Sequence, residues 1–204
     1  MANDRELILK RVKDALDPLP ERAALPDYAG DLAVMRKITA GRDLLELFSE
    51  RIKLVNGSVI TSKEQLRDRL IEGKWMHGYC DPALWPALAA TLGTGFTVET
   101  EFDRTRIDDY SFAITRAAGA VAETGTIILS DASTTYRLAA LTPWVHIAVV
   151  SKSEILSDLS IAVAALGKDP NVIWCTGSSS TADVEGILIR GVHGPGVQIA
   201  LVID

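Results

Sequence analysis

The chain has 204 residues, enough for one well-buried domain and short for two, and its 48% apolar and 24% charged residues are an ordinary globular mixture. A formal net charge of −6, without a basic stripe interleaved with aromatics, argues against a nucleic-acid surface, and no apolar run reaches membrane-spanning length. The two cysteines, Cys80 and Cys175, lie far apart without a CxxC or a Cys/His cluster, so they read as buried free thiols, and the chain should hold no metal, structural zinc or iron–sulfur cluster of its own.

The first segment, residues 3–16, reads as a helix: Asn3 and Glu6 form a capping-box-like start, and Ile8, Val12, Ala15 and Leu16 form an apolar stripe. This charged, amphipathic start is unlike a signal peptide, which points to a reducing, cytoplasmic compartment. Pro18, Pro20 and Pro26 break the helix, so residues 1–30 are expected to be an N-terminal helix and connector ahead of a main domain over 31–204. Residues 42–55 form a second helix, with Leu44, Leu45, Leu47, Phe48 and Ile52 mostly on one side and Asn56-Gly57 as its stop. A short strand at 59–60 precedes a capping box at Ser62–Gln65, a helix to Ile71 and Gly73.

Strands are then expected over 74–80, 96–99, 111–115, 126–130 and 146–151, and helices over 83–92, 134–141 and 157–166. The alanine-rich stretch 116–122 reads as one or two helical turns, and 103–110 as a polar loop or single turn. Alternation of short apolar strands with helices predicts an α/β fold with three layers, a mostly parallel sheet covered by helices on both faces.

The last third reads as strand, loop, helix, loop, strand. Residues 172–175 form an apolar strand, Gly177-Ser178-Ser179-Ser180 a loop, and Ser180 with Asp183 a capping box that opens a helix over 181–190 with Val184, Ile187 and Leu188 on one face. Gly191 ends that helix, and residues 197–203 form a nearly all-apolar strand expected to run parallel to 172–175. A small-residue loop at a helix N-terminus is a ready anion site. A second small-residue loop, Glu123-Thr124-Gly125-Thr126, borders the strand that follows it, so the two loops are expected to form opposite walls of one cleft at the ends of sheet strands.

Four blocks carry a resemblance: Glu123–Thr126, Leu141-Thr142-Pro143-Trp144-Val145-His146, Gly177–Glu185, and Gly191-Val192-His193-Gly194-Pro195. In order and spacing they resemble the LUD domain family, over about residues 30–204. Family members usually carry Gly-Pro-Ser where this chain has Gly177-Ser178-Ser179. The resemblance implies a fold related to the sugar-phosphate isomerase and CoA-transferase superfamily. It also implies a role in oxidising L-lactate or a related organic acid alongside iron–sulfur partner proteins.

For the site, Glu123 is a candidate general base or nucleophile and His193, flanked by glycines, a candidate catalytic or binding histidine. Thr124, Gly125, Thr126, Gly177, Ser179, Ser180, Thr181 and Asp183 are candidate ligand-binding residues around the two loops, and Arg137 could pair with a substrate carboxylate. His146 reads as a packed, hydrogen-bonded histidine rather than a catalyst. Three functions stay open: a subunit of an organic-acid oxidation system that binds a small anion, a stand-alone enzyme acting on a sugar phosphate or acyl-CoA through Glu123, and a non-catalytic assembly protein. A homo-oligomer also remains open.

Overall fold

The computed structural model describes residues 3–19, 24, 37, 39–131, 133–134, 136–166, 171–182 and 187–204. The chain divides into two units, Met1–Val34 and Met35–Asp204. In the first, α1 (Asp4–Leu16) starts at Asn3, whose side chain accepts a hydrogen bond from the Arg5 amide, and none of its residues is buried.

The second unit is built on a six-stranded, wholly parallel sheet. Its strands are β1 (Gly57–Ile60), β2 (His77–Cys80), β3 (Thr97–Glu99), β4 (Phe112–Arg116), β7 (Val145–Ser151) and β12 (Val197–Ile203), in the order β1-β12-β7-β4-β2-β3. The long strands β7 and β12 lie side by side inside it, which is why both read as largely apolar runs. One face carries the large side chains: Phe112, Ile114, Val145, Ile147, Val149, Ile199 and Leu201 pack against Leu66 and Leu70 of α3 (Lys63–Glu72) and Leu88 and Leu92 of α4 (Trp85–Leu92). Each such residue fully withdrawn from water contributes about 1.5–3 kcal/mol relative to exposure. The start of α3 is fixed as its sequence indicates, with the Ser62 hydroxyl accepting from the Gln65 amide and the Gln65 side chain accepting from the Thr61 amide.

The other face carries small residues, Ala113, Ala148 and Ala200, and admits a closer layer. That layer holds Leu47, Phe48 and Ile52 of α2 (Leu44–Leu54), the short α5 (Arg137–Leu141), and a second sheet. The second sheet joins β5 (Gly119–Val121), β6 (Thr126–Ser130), β8 (Ile155–Leu156) and β9 (Val172–Cys175) in the order β8-β5-β6-β9. Helix α6 (Leu159–Leu166) lies outside it and buries Ala162 against Val121 and Ile128. The fold is α/β, with a mostly parallel central sheet and helices on both faces.

Three local expectations are corrected. The alanine-rich 116–122 stretch holds strand β5: Gly119, Ala120 and Val121 pair with β6 and are buried, so small size serves contact between sheets rather than helix propensity. Strands β9 and β12 are not a parallel pair. β9 runs antiparallel to β6 in the second sheet, whereas β12 sits between β1 and β7 in the first. Both described ends of the expected 181–190 helix are strands instead: β10 (Ser180–Ala182) pairs antiparallel with β11 (Leu188–Arg190). The apolar spacing at 184, 187 and 188 fits either period over so short a stretch, and the β-formers Thr181 and Ile189 pair across the hairpin instead.

Candidate functional site

The 177–180 loop is shaped by Gly177. Its φ of +79° is left-handed, and a Cβ there would overlap the carbonyl oxygen of Val55, so the loop lies directly on the end of α2. Two backbone hydrogen bonds then clamp the loop to the glycine-rich turn before β12: Ser179 N–H donates to the Pro195 carbonyl at 2.8 Å, and Gly191 N–H to the Ser179 carbonyl at 2.9 Å. From β11, Arg190 donates to the side chain of Asn56, just past α2, at 2.8 Å.

These contacts frame a cleft of about 580 Å³. Gly177, Ser178, Ser179, Ser180, His193 and Gln198 are among its lining residues, with Leu141 and Leu188 as apolar walls. It lies by the amino ends of β7 and β12 and the carboxyl end of β9. It is therefore not the crevice at the carboxyl ends of parallel strands that open α/β sheets commonly use. Two features set the cleft apart. None of its described lining residues is a carboxylate, in a chain with six more acidic than basic residues. And the Ser178 hydroxyl, on a residue only 7% exposed, has no hydrogen-bond partner among the described residues. A buried polar group without a partner costs about 1–3 kcal/mol, which an acceptor or donor entering the cleft would recover.

Residues 39–203 match the LUD domain. The chain belongs to the LUD domain family. A lactate utilization protein C of Deinococcus radiodurans is 33% identical over 120 residues, 56% of this chain and 57% of that protein. Another, from a Geobacillus species, is 26% identical over 171 residues, covering 77% of this chain and 67% of its own length. That of Geobacillus thermodenitrificans is 26% identical over 223 residues, 94% of this chain and 92% of that protein. The chain thus spans little more than half the length of the Deinococcus relative. The crystal structure of a DUF162 family protein from Deinococcus radiodurans shares the fold, with a TM-score of 0.54 at 22% identity over 79% of this chain and 96% of that one.

In this LUD domain the first small-residue loop reaches Thr176, the residue before the second loop, through hydroxyls. Thr126 Oγ1 lies 2.7 Å from both Thr124 Oγ1 and Thr176 Oγ1, and Thr176 lines the cleft. Gly125, at φ +68°, packs its backbone on Arg51 and Ile52 of α2. Thr124, Gly125 and Thr126 therefore support the cleft from behind and are not among its lining residues. Thr181 pairs with Ile189 in the hairpin and also lies outside the lining. Glu123 is half-buried and turned to other work: its Oε2 accepts from the Leu159 amide at 3.3 Å and its own N–H donates to the Ser157 carbonyl, fixing the start of α6. Arg137 pairs with Asp131 at 2.8 Å on a neighbouring groove that Arg104 and Tyr136 also line. Asp183 lies outside the described residues.

The anion site at the N-terminus of a 181–190 helix falls with that helix; the donors of the cleft are side-chain hydroxyls and amides instead. Gln198 escaped the sequence reading, and Ser178 stood in it only as one of the three loop serines. Gln198 is the one polar residue in the run Val197–Ile203, and a lone polar side chain in an otherwise apolar central strand is the signal that could have marked it. Behind it, Thr115 Oγ1 lies 2.8 Å from His146 Nε2, and His146 Nδ1 lies 3.1 Å from Gln198 Oε1. His146 is fully buried, and burial pushes its imidazole down to about 4, so it is neutral at pH 7.

Cys175 also lines the cleft, but burial pushes its thiol up to about 11. The thiolate is the nucleophile, so Cys175 is poorly suited to attack a substrate at neutral pH. Iodoacetamide at pH 7 should label the folded chain well below the rate seen in denaturant. Equal rates in the two states would contradict the thiol's burial. Among the described residues, no group of three or more His, Cys, Asp or Glu is placed to hold a metal ion, and no helix is long and apolar enough to cross a membrane.

Proposed function

We propose that this LUD domain is a subunit of an L-lactate utilisation system that binds a small carboxylate in the cleft between the 177–180 loop and the 191–195 turn. The observation that carries the reading is the lining of that cleft: serine and threonine hydroxyls, two side-chain amides and His193, with no carboxylate among the described lining residues. Hydroxyl and amide donors in a partly dry site suit an anionic acceptor ligand. The names of the relatives supply the class of acid.

Oxidation of a 2-hydroxy acid to a 2-oxo acid releases two electrons and two protons. The electrons would pass to iron–sulfur partner proteins, since Cys80 and Cys175 cannot supply the four thiolates of a cluster. His193, exposed on the cleft lining, would accept the hydroxyl proton, and the C2 hydrogen would leave as hydride, carrying both electrons, to a two-electron acceptor of the partner proteins.

The test is a thermal-midpoint titration with L-lactate at constant ionic strength, on the parent and on Ser178→Ala. At a hundred times its dissociation constant, L-lactate should stabilise the parent by about 2.7 kcal/mol. Ser178→Ala, which removes a buried hydroxyl that has no partner, should raise the unliganded stability by about 1 kcal/mol while losing most of the lactate response. Absence of any lactate-specific shift in the parent would defeat the reading.

A further inference from the structure

The buried polar chain behind the cleft has a direction. Thr115, His146 and Gln198 stand on the sheet face turned toward the second sheet: His146 is paired with Gln198 across β7 and β12, and Thr115 with Ala148 across β4 and β7. They are 1%, 0% and 3% exposed, so water does not satisfy them. Their hydrogens can be assigned from the contacts. A neutral imidazole has one N–H. The Gln198 Oε1 at 3.1 Å from Nδ1 can only accept, so the proton sits on Nδ1. Nε2 is then an acceptor, and the Thr115 hydroxyl at 2.8 Å must donate to it.

The same contacts fix the amide. Gln198 Nε2 lies 3.5 Å from the His146 carbonyl oxygen. Turning the amide over would set Oε1 against that oxygen, two acceptors face to face. The nitrogen carries two hydrogens, and among the described residues its one contact is this long one. At least one strong donor is therefore left over on a residue that lines the cleft beside the unpartnered Ser178 hydroxyl.

We propose that Gln198 is a ligand-recognising residue of the cleft, held with its amide nitrogen available to ligand by the positioning residue His146, and that this makes the cleft select a ligand presenting an acceptor oxygen over one presenting a donor. The proposal rests on the cleft reading given above and adds the residue that sets its selectivity. An L-lactate carboxylate offers only acceptors to this amide. L-Lactamide, of nearly the same shape, offers an NH2 at one of the two positions.

Affinities of the full chain for L-lactate and L-lactamide, measured by calorimetry, test it. The parent should prefer lactate by about tenfold or more, the cost of one mismatched donor. Gln198→Glu should lower or reverse that ratio by removing the donor and adding a charge. His146→Phe should bring the ratio toward one, because the amide is then free to turn; a merely structural histidine would weaken both probes alike and leave the ratio unchanged. Should His146→Phe fail to fold, the side-chain 15N amide resonances of Gln198 in the unmodified chain give the same answer, since they should move on addition of L-lactate. Unmoved resonances, or a lactate preference that survives in Gln198→Glu, would overturn the role of Gln198 alone. Failure of the parent to bind either probe would overturn the cleft reading and this proposal together.

Discussion

Gly177→Ala is expected to destabilise the domain by about 2–4 kcal/mol and to abolish L-lactate binding in the same step. Two costs add. A left-handed φ costs a residue with a Cβ about 1 kcal/mol. The new methyl would also run into the carbonyl oxygen of Val55, and backbone cannot swing aside as a side chain can, so overpacking adds about 1–3 kcal/mol. Gly41 separates the two. It has a similar φ of +73°, with nothing within 4 Å of a Cβ, so Gly41→Ala should lose only the conformational part, about 1 kcal/mol. Urea unfolding of both variants beside the parent measures the difference. Equal losses would show that the loop does not press on α2. Retained lactate binding in Gly177→Ala would separate the loop from the cleft.

Acidification from pH 7 to pH 4 should remove about 3 kcal/mol of stability through His146 alone. Its folded pKa, lowered to about 4 by burial, lies below the 6.5 of a solvated imidazole. Between those values the unfolded chain holds a proton that the folded chain does not, so stability rises with pH across the window and falls as pH drops through it. Below about 4 the loss is complete. The Glu99 carboxyl, drawn below its ordinary range first by the hydrogen bond from His77, works in the same direction but below pH 4.5, so the interval from 6.5 to 4.5 belongs chiefly to His146. Chemical unfolding at several pH values, on the parent and on His146→Phe, isolates the contribution by difference. Parallel stability profiles would show that His146 is not the group responsible.

Much of this architecture could be read before folding was considered. The nearly all-apolar runs of β7 and β12 announced buried strands of a mostly parallel sheet, and Ser62 with Gln65 announced the start of α3. The two small-residue loops were expected as opposite walls of one cleft; only the second lines it, while Thr126 reaches Thr176 from behind, and Glu123 and Thr181 are not among the lining residues. What could not be read was sheet membership. Val172-Ile173-Trp174-Cys175 is a strand under either assignment, and nothing in four residues says whether its partner runs parallel or antiparallel. The hairpin was missed because Ile187 and Leu188 satisfy a helical face as well as a strand. Gln198 was passed over for a different reason: its importance comes from His146, 52 residues earlier in the chain and brought beside it only by the register of β7 and β12.

That register also sets an order of assembly. β12 is the last strand in sequence, yet it sits second in the sheet, and its neighbour β1 is separated from it by about 140 residues. During synthesis β1 has no strand to pair with until β12 has left the ribosome, so β1, with α2 leading into it, must wait, unpaired on that edge, while β4 and β7 can already associate. Closing so long a loop is entropically slow, and an unpaired edge is open to pairing with another chain in the interval. The strand that places Gln198 beside the cleft is thus also the one that completes the parallel sheet, so the cleft and the six-stranded sheet are completed together.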